Sequence, residues 1–362
     1  MKHTKSALTA LAAFASLALV ACSTPATPAP AGAGSAGASA SGAAKGVVTV
    51  LTHDSFSLSD DVLATFRTQT GYELKVIKQG DGGSLVNQLV LTKDAPLADA
   101  VFGVDNTFAG RAIGAGVLAP YASPNLPADS ADLKADASDA LTPTDFGDVC
   151  VNADKAWFAA KKLALPVTLD DLTKPEYKNL LVVEDAASST PGLAFLVGTV
   201  GAKTAGGYLD YWGLLKDNGV KVVKDWSAAY YTEFSGGGKG GTRPLVVSYA
   251  SSPAATVSAD GASSSTVSLN ETCFRQVEYA GVLAGAKNVA GAQAFVDWLL
   301  SAPVQADIPG QMYMYPAVKA TKLPAEWATF APLPSRPFAV PAADISTNRD
   351  AWIKAWTAKV IG

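Results

Sequence analysis

Six short polar clusters in this chain each follow a run of apolar, mostly β-branched residues. They are His53-Asp54-Ser55-Phe56, Gly80-Asp81-Gly82-Gly83, Asp105-Asn106, Ser188-Ser189-Thr190-Pro191-Gly192, Asp225-Trp226-Ser227 and Tyr249-Ala250-Ser251-Ser252-Pro253. Carboxylates, hydroxyls, small residues and aromatic rings so placed suit non-covalent recognition of a small polar molecule. Covalent and metal chemistry have few carriers: the 362 residues include three cysteines and two histidines. A triad or a multi-histidine metal site has little to draw on.

The elements that position these clusters follow from the spacing of apolar residues. Val47 to Thr52 reads as a buried strand, and a helix from about Ser59 to Gln69 puts Val62, Leu63 and Phe66 on one face. Glu73 to Lys78 is the next strand. Ser84 is then expected to cap a helix with Leu85, Val86, Leu89 and Val90 as its apolar stripe. Ala98 to Val104 makes a third strand. A second trio of strands, Leu180 to Val183, Val220 to Lys224 and Leu245 to Ser248, repeats the pattern. Two of the following loops enter a helix as Ser or Thr then Pro, the N-cap and first-turn arrangement. Strand–helix alternation predicts an α/β fold of parallel sheets covered by helices, with ligands outside the carboxyl ends of the strands. Two such halves facing each other make a cleft. Asp145 to Asn152 and Glu271 to Leu283 read as extended crossovers between the halves.

The amino-terminal end carries an address. Lys2, His3 and Lys5 form a basic start, and Leu8 to Val20 is an apolar run of about 13 residues, export-signal length and too short to span a bilayer. Leu19-Val20-Ala21-Cys22 resembles the lipobox of bacterial lipoproteins. That likeness implies a signal over 1–21, cleavage before Cys22 and a diacylglycerol on its thiol, anchoring the chain to the membrane from outside the cytoplasm. Residues 23–45 hold no apolar residue larger than Pro and read as a flexible tether. Roughly 315 residues remain for folding, more than one compact domain usually holds. Only His53 survives in such a mature chain. Of the cysteines, Cys150 and Cys273 are left, one on each crossover. In an oxidising compartment they favour a disulfide worth about 4 kcal/mol in the chain-entropy model, the alternative being two buried thiols. The net charge of −4 becomes more negative once Lys2 and Lys5 are removed, which argues against nucleic acid as a partner.

The segments VLTHDSF (50–56), GDGGSLVNQL (80–89), ADAVFGVDN (98–106), SSTPGLAFL (188–196), VVKDWSAAY (222–230), VVSYASSPA (246–254) and QADIPGQMYMYPA (305–317) keep one order and spacing along nearly the whole mature chain. Together they resemble the thiamine-binding substrate-binding proteins of bacterial ABC importers. The resemblance implies a two-lobed, type II periplasmic-binding-protein-like fold with the ligand cleft between lobes: a first lobe over 46–147, a second over 148–272, a return to the first over 273–316, and a terminal segment, 317–362, packed on them. It implies a monomer without cofactor or catalysis that passes thiamine to a permease. Ligand contacts then fall on Asp81, Gly82, Ser189, Thr190, Trp226 and the run Tyr249, Ala250, Ser251, Ser252, Pro253, with Asp105 and Asn106 as further candidates. Two positions depart from the family, which often has Tyr where this chain has His53 and usually has Trp where it has Tyr313. Thiamine's fixed cation wants aromatic faces and a carboxylate. Trp226, Tyr249 and Tyr313 could stack on its rings, Asp81 or Asp105 could pair with its charge, and the hydroxyls of Ser189-Thr190 and Ser251-Ser252 could meet its tail.

Rival functions rest on fewer residues. Thiaminases of one class share this architecture and need a cysteine nucleophile, for which Cys150 is the candidate. A ferric-binding protein would need clustered Tyr, Asp or His. Tyr230-Tyr231 offers two, but adjacent side chains on an α-helix diverge by about 100°, so packing is the expected role. Ser235 to Gly241 (SGGGKGG) lacks phosphate-loop spacing and is expected to be a surface loop.

Overall fold

A computed structural model describes residues 44–203 and 206–362. The expected signal, the lipid attachment at Cys22 and all but the end of the tether lie outside these residues. None of the described helices is long and apolar enough to cross a membrane.

In chain order the structure runs β1 (Val47–Thr52), α1 (Asp60–Thr70), β2 (Glu73–Lys78), α2 (Gly82–Leu91), β3 (Ala100–Asp105), α3 (Ala109–Gly114), β4 (Leu118–Ala119) and β5 (Thr142–Asp154). It continues α4 (Lys155–Lys161), β6 (Leu181–Glu184), α5 (Thr190–Ala202), α6 (Tyr208–Asp217), β7 (Lys221–Val223), β8 (Leu245–Tyr249) and β9 (Thr266–Leu283). Last come α7 (Val289–Leu299), α8 (Ala302–Gln311), β10 (Tyr315–Pro316), α9 (Trp327–Phe330) and α10 (Ala342–Val360).

The described strands join in one sheet ordered β2-β1-β3-β9-β5-β8-β6-β7, and off that path β4 pairs with β9 and β10 with β5. β1 pairs in parallel with β2 and β3, and β6 in parallel with β7 and β8. Both parallel trios expected from the sequence are present. They are not separate sheets, however, because β5 and β9 pair antiparallel along their length and weld the trios together. Alternation along β1 explains the helices on both faces. Leu51 joins the core of Leu85, Val86 and Leu89 from α2, while Val48 and Val50 face Phe66 of α1 and Phe295 of α7.

Three local expectations are corrected. Asp81, not Ser84, caps α2, and its side chain accepts a bond from the Gly82 N–H at 2.7 Å. An aspartate one residue ahead of the first helical turn is a better acceptor for the free amides there than a serine already inside it. Thr190 occupies the first position of α5, so Pro191 sits second, where its missing N–H costs no helical bond. Tyr230 and Tyr231 lie in a π-helical turn, Ala228–Glu233, instead of an α-helix.

The Cys150–Cys273 disulfide is formed, S–S 2.01 Å, tying β5 to β9 where their register shifts. The carboxyl-terminal α10 lies across helices of both trios. Its Arg349 guanidinium covers Phe108 at 4.3 Å, just before α3, and its buried Trp356 packs edge-on to Trp212 of α6 at 5.5 Å.

Candidate functional site

The carboxyl ends of the strands converge on a cavity. β1 delivers His53 and Ser55, β2 delivers Asp81, and β9 contributes Glu278. From the other trio come Thr190 and Pro191 at the start of α5, Trp226 after β7, Tyr230 and Tyr231, and Tyr249 at the end of β8. Ser252 and Ala255 follow β8, and Met312, Tyr313 and Met314 close the site from the loop after α8. Aromatic and thioether groups dominate the walls, with a few polar groups among them, the make-up of a small-molecule site.

The aromatic wall is built in layers. Trp226 stacks on Tyr230 with ring centroids 5.0 Å apart and planes 21° from parallel, and Tyr231 meets the Trp226 ring edge-on at 5.3 Å. The indole N–H of Trp226 donates to Ser248 Oγ at 3.0 Å, and the Ser248 and Ser252 hydroxyls are 2.8 Å apart. These bonds fix the indole's tilt, leaving its face for a ligand. Tyr313 adopts a left-handed backbone, φ 55°, and the Ser251 hydroxyl donates to its carbonyl. A non-glycine residue in that region costs about 1–3 kcal/mol, which the surrounding contacts must offset.

The acids differ sharply in what they have left to offer. Asp81 accepts four bonds: Gly82 N–H at 2.7 Å, Ser189 Oγ–H at 2.7 Å, Thr190 N–H at 3.2 Å and Trp226 N–H at 3.2 Å. It therefore joins α2 to α5 and to the Trp226 loop. Asp105 is fully buried behind the wall and accepts from Thr107 N–H and from Thr190 Oγ–H at 2.6 Å. Burial pushes its carboxyl up to about 6 despite those bonds. Glu278 faces the cavity, with His53 Nε2 at 2.9 Å from its Oε1. Among the described residues no Lys or Arg lines the cavity, which presents acids and ring faces.

The family model described as bacterial extracellular solute-binding protein matches residues 95–335. The chain belongs to that family. This solute-binding protein is 30% identical over 320 residues to the thiamine-binding periplasmic protein of Escherichia coli K12, covering 86% of this chain and 93% of the relative. It is 28% identical over 330 residues to the protein of that name from Brucella suis, covering 87% and 92%. Among solved structures it superposes on a periplasmic thiamin binding protein with a TM-score of 0.75 and 28% identity over 87% of this chain and 96% of the other. The fructose-6-phosphate-bound AfuA of Actinobacillus pleuropneumoniae shares the fold, TM-score 0.71, at 19% identity, with 88% and 99% covered. The fold is thus the two-lobed type II periplasmic-binding-protein architecture, and the solute-binding protein is a non-catalytic, extracytoplasmic component of an ABC-type import system.

Of the residues singled out from sequence, the solute-binding protein brings His53, Asp81, Thr190, Trp226, Tyr249, Ser252 and Tyr313 to the cavity. The others stand behind it. Gly82 makes room for Thr190, whose Oγ1 would lie 2.1 Å from an added Cβ. Ser189 is spent on Asp81, and Asn106 braces β9 through the Arg275 carbonyl at 3.0 Å and the Val277 N–H at 3.2 Å. Ala250 packs on the disulfide, and Pro253 is buried. Cys150, candidate nucleophile of the enzyme reading, is buried and oxidised, which removes that role. Tyr230 and Tyr231, expected only to pack, also line the cavity, and Glu278 and the two methionines are additions the sequence did not point to. The wider π-helical turn sets both tyrosine rings against Trp226, 5.4 Å from each other, where an α-helical reading separates them.

Proposed function

We propose that this chain captures thiamine outside the cytoplasm and delivers it to an ABC permease while held to the membrane by lipid on Cys22. The observation that carries the reading is the pairing of an aromatic wall with acids and no basic side chain but His53 in the cavity lining. Thiamine presents a flat aminopyrimidine, a permanently charged thiazolium and a short alcohol tail. Its rings suit Trp226, Tyr231, Tyr249 and Tyr313, and each cation–π contact contributes about 0.5–2 kcal/mol once desolvated. Two or three such contacts with a charge pair support micromolar or tighter binding, about −8 kcal/mol, after the cost of closing the lobes. Relatives named for thiamine binding support the same ligand. Among the described residues no group of three or more His, Cys, Asp or Glu side chains is placed to hold a metal ion.

Quenching of tryptophan fluorescence by thiamine, its monophosphate and its diphosphate tests the proposal and ranks the tails in one experiment. Saturable quenching by at least one form is expected. Purified, ligand-stripped protein that responds to none of them in fluorescence or calorimetry refutes it.

A further inference from the structure

The ligand's charge needs a carboxylate with an oxygen to spare, and the acids of the site do not qualify equally. Asp81 has its four donors in place, and Asp105 is walled off by Thr107 and Thr190. Glu278 also lies on the cavity, and its side-chain partners are the His53 imidazole, at 2.9 Å, and the Asp145 carboxyl, with neither Lys nor Arg beside them. We infer that Glu278, on the β9 crossover strand, is the carboxylate that reads the ligand's permanent positive charge, and that His53 is its positioning residue. The inference rests on the thiamine reading insofar as it takes the ligand to be a flat fixed cation.

The surroundings of the pair are built for that task. Ser55 N–H donates to His53 Nδ1 at 3.1 Å, so the neutral ring carries its proton on Nε2 and donates it to Glu278. The ring fits because Gly103 of β3, at φ 106° beside a register shift against β9, lacks the Cβ that would lie 2.3 Å from His53 Cδ2. Asp145, opposite Glu278 on β5, is fully buried. Burial and the neighbouring Glu278 push its carboxyl well above the usual range, holding it as a neutral acid. With His53 in that neutral form, Glu278 meets an uncharged imidazole and a neutral carboxylic acid, which leaves it to pair with a cation in the cavity.

A second proton on His53 would compete with that cation. Glu278 from β9 and Asp81 from the start of α2 favour the imidazolium, and Lys78 at the end of β2 opposes it. Burial, the largest single effect, works against protonation, but the charge and hydrogen bond of Glu278 with the charge of Asp81 together outweigh it and the ring sits above its usual 6.5. Protonation therefore neutralises Glu278 as the medium turns acid, and thiamine binding near neutrality should expel a proton. Affinity is expected to rise with pH.

The test compares thiamine with its neutral thiophene analogue, in which carbon replaces the charged ring nitrogen, by fluorescence titration. Glu278→Gln is expected to weaken thiamine by about 30-fold or more and the neutral analogue by no more than about threefold, the loss of one desolvated charge pair. Equal losses for both ligands, or none, overturn the assignment. Glu278→Asp, which keeps the charge on a shorter arm, should fall between, and thermal melts of each variant verify folding. For the wild type, thiamine affinity should drop at least about fivefold from about pH 8 to pH 6, and His53→Gln, which does not titrate, should flatten that profile. A profile that His53→Gln leaves intact removes His53 from the role. If wild type binds neither thiamine nor its analogue, the vitamin reading fails separately. The charge assignment is then decided with 1-methylnicotinamide, a flat fixed cation, against neutral nicotinamide. Loss of only the cation in Glu278→Gln sustains it, and no discrimination or no binding overturns it.

Discussion

Asp81 is the residue whose removal should report most directly on how the cleft closes. Its carboxylate takes three bonds from the far trio of strands: Ser189 Oγ–H at 2.7 Å, Thr190 N–H at 3.2 Å and Trp226 N–H at 3.2 Å. Each is charge-assisted but partly solvated, so about 1 kcal/mol apiece is a fair value, well below that of a fully buried charged bond. Asp81→Ala deletes all three and biases the lobes toward the open state by about 3 kcal/mol. Because apparent affinity scales with the fraction of binding-competent molecules, thiamine should bind up to about 100-fold more weakly, mainly through faster dissociation. Asp81→Asn keeps one acceptor oxygen but turns an amide toward the Trp226 N–H, so a loss of about tenfold to 30-fold is expected. The assays are stopped-flow fluorescence for dissociation and small-angle scattering of the ligand-free protein, which should expand in the Ala variant. Asp81 also caps α2, and losing a cap costs about 1 kcal/mol of global stability. That cost appears in melting, not in affinity. If the Ala variant melts earlier yet binds within threefold of wild type, Asp81 caps a helix and latches nothing.

Trp226→Ala removes the middle layer of the aromatic wall and should weaken thiamine at least about tenfold, roughly 1.4 kcal/mol; an unchanged titration takes Trp226 out of the site. Cys150→Ser opens a loop closed over 123 residues and should cost about 4–5 kcal/mol, read as a lower urea midpoint, unless the reduced chain retains structure. Asp105 holds its proton to about 6 when folded against a usual 3.8, so the folded state binds the extra proton between those values. Stability should therefore fall by about 3 kcal/mol as pH rises from about 4 to 6, and Asp105→Asn should remove that part of the slope. Asp145 and Glu184, also raised by burial, act in the same direction at higher pH. Trp356→Ala should destabilise by about 3–5 kcal/mol, since the ring is fully buried against Trp212.

Much of the scaffold was legible because its strands are short β-branched runs that stop at polar residues. Val47-Val48-Thr49-Val50-Leu51-Thr52 matches β1 residue for residue, and the run from Leu245 extends only to Tyr249 in place of Ser248. What the pattern could not convey is pairing direction. β5 and β9 read as extended crossovers, and nothing in their alternation says that they align antiparallel to each other and merge the trios into one sheet. The cap of α2 shows the same limit at short range. Asp81, Gly82, Gly83 and Ser84 all tolerate a helix start, and the choice fell to Asp81 because Ser189, Thr190 and Trp226, over a hundred residues away, also need its oxygens.

The site divides along a similar line. Aromatic and hydroxyl groups at strand ends announce a binding cleft, because such positions have no structural need for them. The allotment of acids stays hidden, since an aspartate in sequence carries no sign of how many donors will surround it. Asp81 and Asp105 look alike on paper, and in the fold one joins three segments while the other is buried with two threonines. Glu278 escaped notice for the opposite reason. It lies within an eighteen-residue strand whose Glu, Arg and Gln suggest a solvated face, yet that strand runs through the middle of the sheet and buries it. A buried glutamate with no Lys or Arg among its side-chain partners is costly to keep, and a cationic ligand in the adjoining cavity is the economical way to offset that cost.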